Sequence, residues 1–232
     1  MDDRHRFDRL ADDYTIGRPG YPAALAAWVP SAAVGVDLAC GTGLSTRVFR
    51  GRFDTLLGVD PSEPMLARAR ARAAPGERYL QGTAEDPPLG PASADVFLVG
   101  QGLHWFDLPA TVAALRTAGR NPTLIAFWNR RPDIEPWQTY ESLLLAHCPD
   151  YAGIRARWDD TVDRLDALLA QPAERAVFDN PQHYDTDRML ALARSSSYVA
   201  SSPTRDALLD ALAAAWTPTT TPFTTHAFRW QL

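Results

Sequence analysis

Gly41 and Gly43 lie in the stretch VGVDLACGTGLS, with one carboxylate ahead of them, Asp37, and another beyond them, Asp60. Glycine has no Cβ, so its backbone can approach a ligand closely and adopt positive φ. A carboxylate at the end of the following strand can accept hydrogen bonds from both hydroxyls of a ribose. Turn and acid together describe a site for an adenosine cofactor. Two details separate the candidates. A dinucleotide turn reads G-x-G-x-x-G and sets a pyrophosphate on a helix N-terminus, whereas Thr46 occupies the sixth position here. Asp37 would also repel a pyrophosphate, while it would favour a sulfonium and an α-amino group. The residues therefore point to S-adenosylmethionine rather than a nicotinamide dinucleotide. A plain turn with incidental glycines is the competing reading, and Asp60 at the right distance weighs against it.

Other side chains could act beside such a cofactor. Arg18, in GRPGY, could pair with a methionine carboxylate through a charge-assisted fork, or could be a surface arginine on a rigid turn. Tyr14, one helical turn earlier, could close over a methyl group or simply pack. His104, in GLHWFD, is the candidate for acid–base work, because an imidazole titrates near neutrality; the alternative is that it only shapes a pocket with Trp105 and Phe106. Residues 195–198, SSSY, read as a helix end whose Ser and Tyr could face a substrate.

Several chemistries are excluded. All 23 basic residues are arginine, so a lysine-dependent phosphate loop and a pyridoxal Schiff base both fall. No C-x-x-C or H-x-x-x-H occurs, and His147 and Cys148 are adjacent on one helix, so no metal site is expected. No G-x-S-x-G elbow is present.

The elements that must position these residues follow from periodicity. Residues 5–16 place Phe7, Leu10, Ala11 and Tyr14 on one helical face, GRPGYP breaks it, and residues 23–29 resume. Residues 34–39 form a buried strand, then the turn, then a helix through about Arg50. TLLGVD is a second strand, followed by a helix with Ser62 as N-cap and Pro64 in its first turn. RYLQGTAED gives a third strand, residues 95–99 a fourth, residues 108–118 a helix and residues 123–129 a fifth strand. This alternation means an α/β fold with a mostly parallel sheet, helices on both faces. Residues 131–175 are helical and aromatic, with Trp137, Tyr140, Tyr151 and Trp158, and read as an inserted lid. AVFDNPQHYDT returns as a strand, two helices follow, and TPFTTHAFRWQL closes as an alternating strand. The chain thus reads as one domain over 1–232: cap helices in 1–30, a core in 33–130, the lid, and completion of the sheet in 176–232.

The net charge of −5 and the absence of a basic block disfavour nucleic-acid partners. No segment is long and apolar enough to span a membrane. The charged N-terminus is unlike a signal peptide, and two cysteines suit a reducing cytoplasm.

VDLACGTG resembles the first motif of class I S-adenosylmethionine-dependent methyltransferases, with Ala39 where glycine is usual, and LLGVDPSEPML resembles the second. QGTAEDPPLGPASADVFLVGQGLHWFD resembles the third and fourth motifs of a subgroup related to trans-aconitate methyltransferases and similar small-molecule enzymes, as do FDRLADDYTIGRPGYP and TPFTTHAFRW. The resemblance implies a Rossmann-like sheet of about seven strands, the last antiparallel. It implies that Ala39, Cys40 and Gly41 present backbone to the methionine end, that Asp60 holds the ribose, and that Pro61 and Met65 flank adenine. Ala84 would offer its amide to adenine, Glu85 a carboxylate near the exocyclic amine, and Gly100 and Gln101 would line the pocket. The implied activity is methyl transfer to a small molecule, at oxygen, by a monomer or homodimer. A fold-retaining sensor or non-methylating protein and a nicotinamide-dependent reductase are the alternatives.

Overall fold

The computed structural model describes residues 11–232. Nine strands and nine α-helices are assigned among them. Strands β1 (Ala32–Leu38), β2 (Phe53–Asp60), β3 (Glu77–Gln81), β4 (Ala94–Gly100) and β5 (Gly119–Arg130) are followed by β6 (Glu174–Asp179) and β9 (Thr224–Gln231) in one seven-stranded sheet. Its order is β3-β2-β1-β4-β5-β9-β6. The first five strands pair in parallel, and β9 runs antiparallel to both β5 and β6. Two short strands, β7 (Gln182–Tyr184) and β8 (Thr219–Thr221), pair separately.

The strand order reverses between β1 and β4, so a crevice opens beyond their carboxyl ends. Both sheet faces are covered, which is why these strands read as nearly continuous apolar runs. On one face, Val36, Phe97, Leu124 and Trp230 pack with Val112 and Leu115 of α4 (Leu108–Ala118) and Val162 and Leu165 of α6 (Tyr151–Leu169). On the other, Leu98, Ile125 and Phe127 pack with Leu25 of α2 (Ala23–Trp28) and with Phe49.

Local signals set several boundaries. The Ser62 hydroxyl accepts from the Met65 amide and starts α3 (Glu63–Arg70), and Asp107 caps α4 through the Ala110 amide. After β1, however, no α-helix forms up to Arg50: the chain makes only a 3-10 turn, Thr46–Phe49. Gly43 and Gly51 both take positive φ and bracket the segment. The Val48 amide donates to Ser45 O, a tight i to i+3 bond. Little chain is left between two turns for a regular helix.

A second core lies above the sheet's carboxyl edge. Helices α5 (Trp137–His147), α7 (Thr186–Arg194), α8 (Ser197–Ala200) and α9 (Arg205–Ala215) converge there with the start of α6. Trp137 is its hub: its ring meets Tyr184, Trp216 and Phe223 at centroid distances of 5.1, 4.8 and 5.3 Å, and its Nε1 donates to Thr221 Oγ1 at 2.8 Å. Residues 186–215, placed by sequence with the sheet's completion, thus lie in this cap beside α5. Helix α6 joins the two cores, with Ile154 in the cap and Leu165 on the sheet; at about 1.5 Å per residue it is long enough for both.

Of the helix expected over 5–16, α1 (Ala11–Gly17) is seen, and residues 5–10 lie outside the described residues. A Cβ on Gly17 would sit 2.1 Å from the Leu192 amide nitrogen, so the end of α1 meets the backbone of α7. The Tyr184 hydroxyl donates to Gly17 O at 2.9 Å. That contact holds Tyr14 and Arg18 over the crevice.

Candidate active site

The loop after β1 bends through three positive φ angles, 53° at Ala39, 54° at Gly41 and 74° at Gly43. Asp37 stiffens it from below. Its Oδ2 accepts from Ser45 Oγ at 2.7 Å and Thr46 Oγ1 at 2.6 Å, while Oδ1 has no partner among the described residues. Burial lifts its pKa to about 7, against the lowering effect of the two hydroxyls. Asp60, at the tip of β2, accepts from the Gly41 amide at 2.8 Å through Oδ2 and from the Ser62 amide at 2.9 Å through Oδ1.

A cavity of about 410 Å³ opens at this edge, within the usual range for small-molecule sites. Its wall brings together Tyr14, Arg18, Ala39, Gly41, Asp60, Pro61, Met65, Ala84, Glu85, Gly100, Gln101 and His104 from the sequence-predicted set, with Trp105 and Phe106. Three predicted residues are not on it. Asp37 is fully buried beneath the loop and spends its carboxylate on Ser45 and Thr46. Cys40 packs with Leu66, Ala69 and Tyr79, and burial pushes its thiol pKa well up. Gly43 faces Tyr79, where an added Cβ would lie 2.8 Å from the hydroxyl. These three shape the loop from behind.

On the opposite strand end, a Cβ on Gly100 would meet Phe127 Cε2 at 2.9 Å and Ser45 Cβ at 3.0 Å, so only glycine fits. Gln101 follows at φ 63°, its amide donating to Phe127 O at 2.9 Å. Glu85 accepts from the Asp107 amide at 3.0 Å, joining the third and fourth loops. Arg18 donates to Ser195 O at 3.1 Å and Ser196 Oγ at 3.3 Å; its Cζ lies 5.0 Å from the Tyr14 ring centre, and its Nε is buried with no partner among the described residues. Burial raises the Tyr14 pKa, so the phenol stays neutral.

His104 sits on a 3-10 turn, Leu103–Trp105, between the rings of Trp105 at 4.8 Å and Trp158 at 5.5 Å. Neither ring nitrogen has a partner among the described residues. Burial first, then the charges of Arg157 and Arg18, lower its pKa to about 3. The sequence reading did not single out Thr83, Gly102, Asp107 or Ile154 for this wall. The first three directly neighbour residues that it did single out. Ile154 arrives from α6 by tertiary packing and carries no local signal. Ser197 and Tyr198, from the SSSY run, do line the cavity, as does Trp158.

Residues 36–120 match the family model of a methyltransferase domain. The chain carries a class I S-adenosylmethionine-dependent methyltransferase domain. An uncharacterized methyltransferase of Mycobacterium tuberculosis is 41% identical over 138 residues, which cover 56% of this chain and 55% of that one. The malonyl-[acyl-carrier protein] O-methyltransferase of Pectobacterium atrosepticum is 34% identical over 93 residues, covering 40% and 36%. The chain spans about half the length, or less, of the first curated relatives it matches. A solved structure assigned provisionally to a type II methyltransferase of Anaeromyxobacter dehalogenans is 26% identical, with a TM-score of 0.60 over 92% of this chain and 97% of that one.

The cavity suits the cofactor of this domain, S-adenosylmethionine. Each Asp60 oxygen accepts from an amide at the cavity edge, and a carboxylate oxygen can accept more than one hydrogen bond, as a ribose diol requires. Around the Cβ position of Gly41 there is no atom within 4 Å, so the backbone is bare toward the cavity. A pyrophosphate would find a 3-10 turn where a dinucleotide fold has an α-helix N-terminus. Among the described residues no cluster of metal-ligating side chains occurs, and no helix is long and apolar enough to cross a membrane.

Proposed function

We propose that the chain transfers a methyl group to the oxygen of a small-molecule acceptor by in-line displacement, as a cytoplasmic enzyme related to the trans-aconitate methyltransferase subgroup. When bound, S-adenosylmethionine supplies a methyl group on a sulfonium that is already a good leaving group. The remaining work falls to the chain. Asp60 holds the ribose, Pro61 and Met65 flank adenine, and Ala84 and Glu85 read its polar edge. Ala39, Gly41, Gly100 and Gln101 shape the space beside the sulfur. Arg18 pairs with the methionine carboxylate, and Tyr14 closes the methyl end. Asp37, buried under the loop, shapes the turn through Ser45 and Thr46 without direct contact with the cofactor. Positioning of this kind can supply on the order of 7–11 kcal/mol of barrier reduction.

His104 bears on the acceptor atom. A useful general base has a pKa near the working pH, and this imidazole is held near 3. It stands in the wall as a neutral ring rather than as the base, which favours an acceptor that arrives deprotonated. The observation carrying the whole reading is the Gly41–Asp60 hydrogen bond, which brings the glycine turn and the strand-end carboxylate to one cavity edge. Titration calorimetry with S-adenosylhomocysteine tests the cofactor half, with micromolar or tighter binding expected. Release of S-adenosylhomocysteine across a panel of acids, phenols and amines tests the transfer half. Absence of binding overturns the proposal, and preferential turnover of amines overturns transfer to oxygen.

A further inference from the structure

Arg18 sits in a short strap between two grips. On one side the Tyr184 hydroxyl donates to Gly17 O at 2.9 Å. On the other, Asn129 Nδ2 donates to Pro19 O at 3.3 Å and to Gly20 O at 3.0 Å, and Asn180 Nδ2 adds a second bond to Gly20 O at 2.8 Å. The carbonyls that flank this arginine are thus held by side chains far along the chain. The guanidinium is steadied separately, by Ser195 O and Ser196 Oγ. Pro19 stiffens the strap further, because its ring fixes its own φ and disfavours the helical region for the residue before it.

Asn129 is the centre of the second grip. Its Oδ1 accepts from Asn180 Nδ2 at 2.9 Å and from Thr225 Oγ1 at 2.6 Å, while its Nδ2 serves the two carbonyls. Carbonyl oxygens only accept, so Nδ2 must face them. Asn180 is fixed in turn: its backbone amide donates to Phe223 O at 2.8 Å, and its Oδ1 accepts from Gln182 Nε2 at 2.9 Å. Thr225 is fully buried, and it pairs with Asn129 across β5 and β9, so the network is seated on the sheet. A buried polar network with every member satisfied is rigid. Asn129 is not on the wall of the cofactor cavity. It lines a second chamber, of about 460 Å³, which adjoins the first and shares Arg18, Gln101, Trp158 and Tyr198 with it. Any effect of Asn129 on the cofactor therefore passes through the strap.

We propose that Asn129 is a positioning residue for the cofactor: through Pro19 and Gly20 it sets Arg18 in place for the methionine carboxylate, with Tyr184 fixing the other side of the strap. The inference rests on the pairing of Arg18 with that carboxylate proposed above. A guanidinium placed before the cofactor arrives lowers the ordering cost of binding.

The test compares two ligands by calorimetry: S-adenosylhomocysteine, and 5′-methylthioadenosine, which keeps the adenosine and lacks the amino-acid end. R18Q should weaken the first roughly tenfold or more and leave the second within about twofold. N129D is nearly isosteric; it keeps the acceptor for Asn180 and Thr225 and removes the donor to the strap. It should weaken S-adenosylhomocysteine roughly fivefold or more, again with 5′-methylthioadenosine within about twofold. In the double variant, N129D should add no more than about twofold to the effect of R18Q, since residues that act through one another are not additive. A merely structural role would weaken both ligands alike. Y184F removes one hydroxyl and keeps the ring, and it is read in place of N129D if that variant fails to fold. Equal loss of both ligands, unchanged affinity, or a full effect of N129D on top of R18Q each overturns the inference. Those outcomes leave the cofactor reading standing when R18Q behaves as expected. If R18Q leaves S-adenosylhomocysteine unaffected, the pairing of Arg18 with the carboxylate falls and this inference with it.

Discussion

Oδ2 of Asp60 accepts a hydrogen bond from the amide of Gly41 at 2.8 Å. The last residue of β2 is thereby tied to the loop that follows β1, although the two are far apart in the chain. A second amide, that of Ser62, holds the other oxygen at 2.9 Å. A carboxylate gripped in this way has its orientation set before any ribose arrives, and that lowers the ordering cost of binding.

Asp60→Ala removes this acceptor pair. A hydrogen bond to a charged group is worth about 1.5–3 kcal/mol, so losing even one of the pair should lower affinity for S-adenosylhomocysteine roughly tenfold to more than a hundredfold. Calorimetry on the variant reads this directly, and an unchanged dissociation constant would remove Asp60 from the site.

Gly41 and Gly43 should respond differently to alanine. Both have positive φ, so each substitution carries a backbone cost of about 1–2 kcal/mol. At Gly41 the new methyl meets open space on the cavity wall, so cofactor affinity should drop at least tenfold with little further loss of stability. At Gly43 it lies 2.8 Å from the Tyr79 hydroxyl, so the loss is chiefly in stability. Urea unfolding beside calorimetry separates the two, and equal effects on both readouts would contradict the assignment.

His104 is buried neutral, with its pKa lowered from 6.5 to about 3. The unfolded chain therefore binds more protons between those values, and stability falls as pH drops from 6.5 toward 3. The variant His104→Gln lacks this term. Between pH 7 and 5 its stability should improve relative to the parent by about 2 kcal/mol, read from urea midpoints. The pH profile of kcat in the parent should show no inflection from an imidazole between pH 5 and 8.

Asp37 predicts the opposite sign. Its pKa is raised from 3.8 to about 7, so the folded chain holds the extra proton in that window. The stabilising contribution is complete below 3.8 and is lost as pH rises through 7. Asp37→Asn keeps an acceptor for Ser45 and Thr46 but cannot ionise. The stability difference between variant and parent should therefore grow in the variant's favour from pH 4 to 7, by up to about 1.4 kcal/mol per unit. A flat difference across that range would mean that Asp37 is not buried as described.

Much of the site was legible because its signals are local. The glycine turn, the acid ending β2 and the cap at Ser62 depend on a few neighbouring residues and on strand order. Other features depend on partners distant in sequence. Nothing near Asp37 announces that its carboxylate turns away from the cavity, since Ser45 and Thr46 reach it only once the loop has folded back. The helix expected through Arg50 failed because the apolar spacing could not reveal two positive-φ glycines bracketing so short a segment. Ile154 looked like any apolar helix residue until α6 was laid across both cores.

The sequence by itself determined the alternation of strand and helix, the cofactor turn and its acidic partner, because hydrophobic period and glycine or carboxylate placement act over single elements. Only the tertiary structure decided which side chains surround the reacting space. The cap from α5 to α9 and the shared walls of the two chambers arise from segments far apart in the chain. Burial and the pKa values of Asp37 and His104 follow from that packing, and no local pattern encodes them.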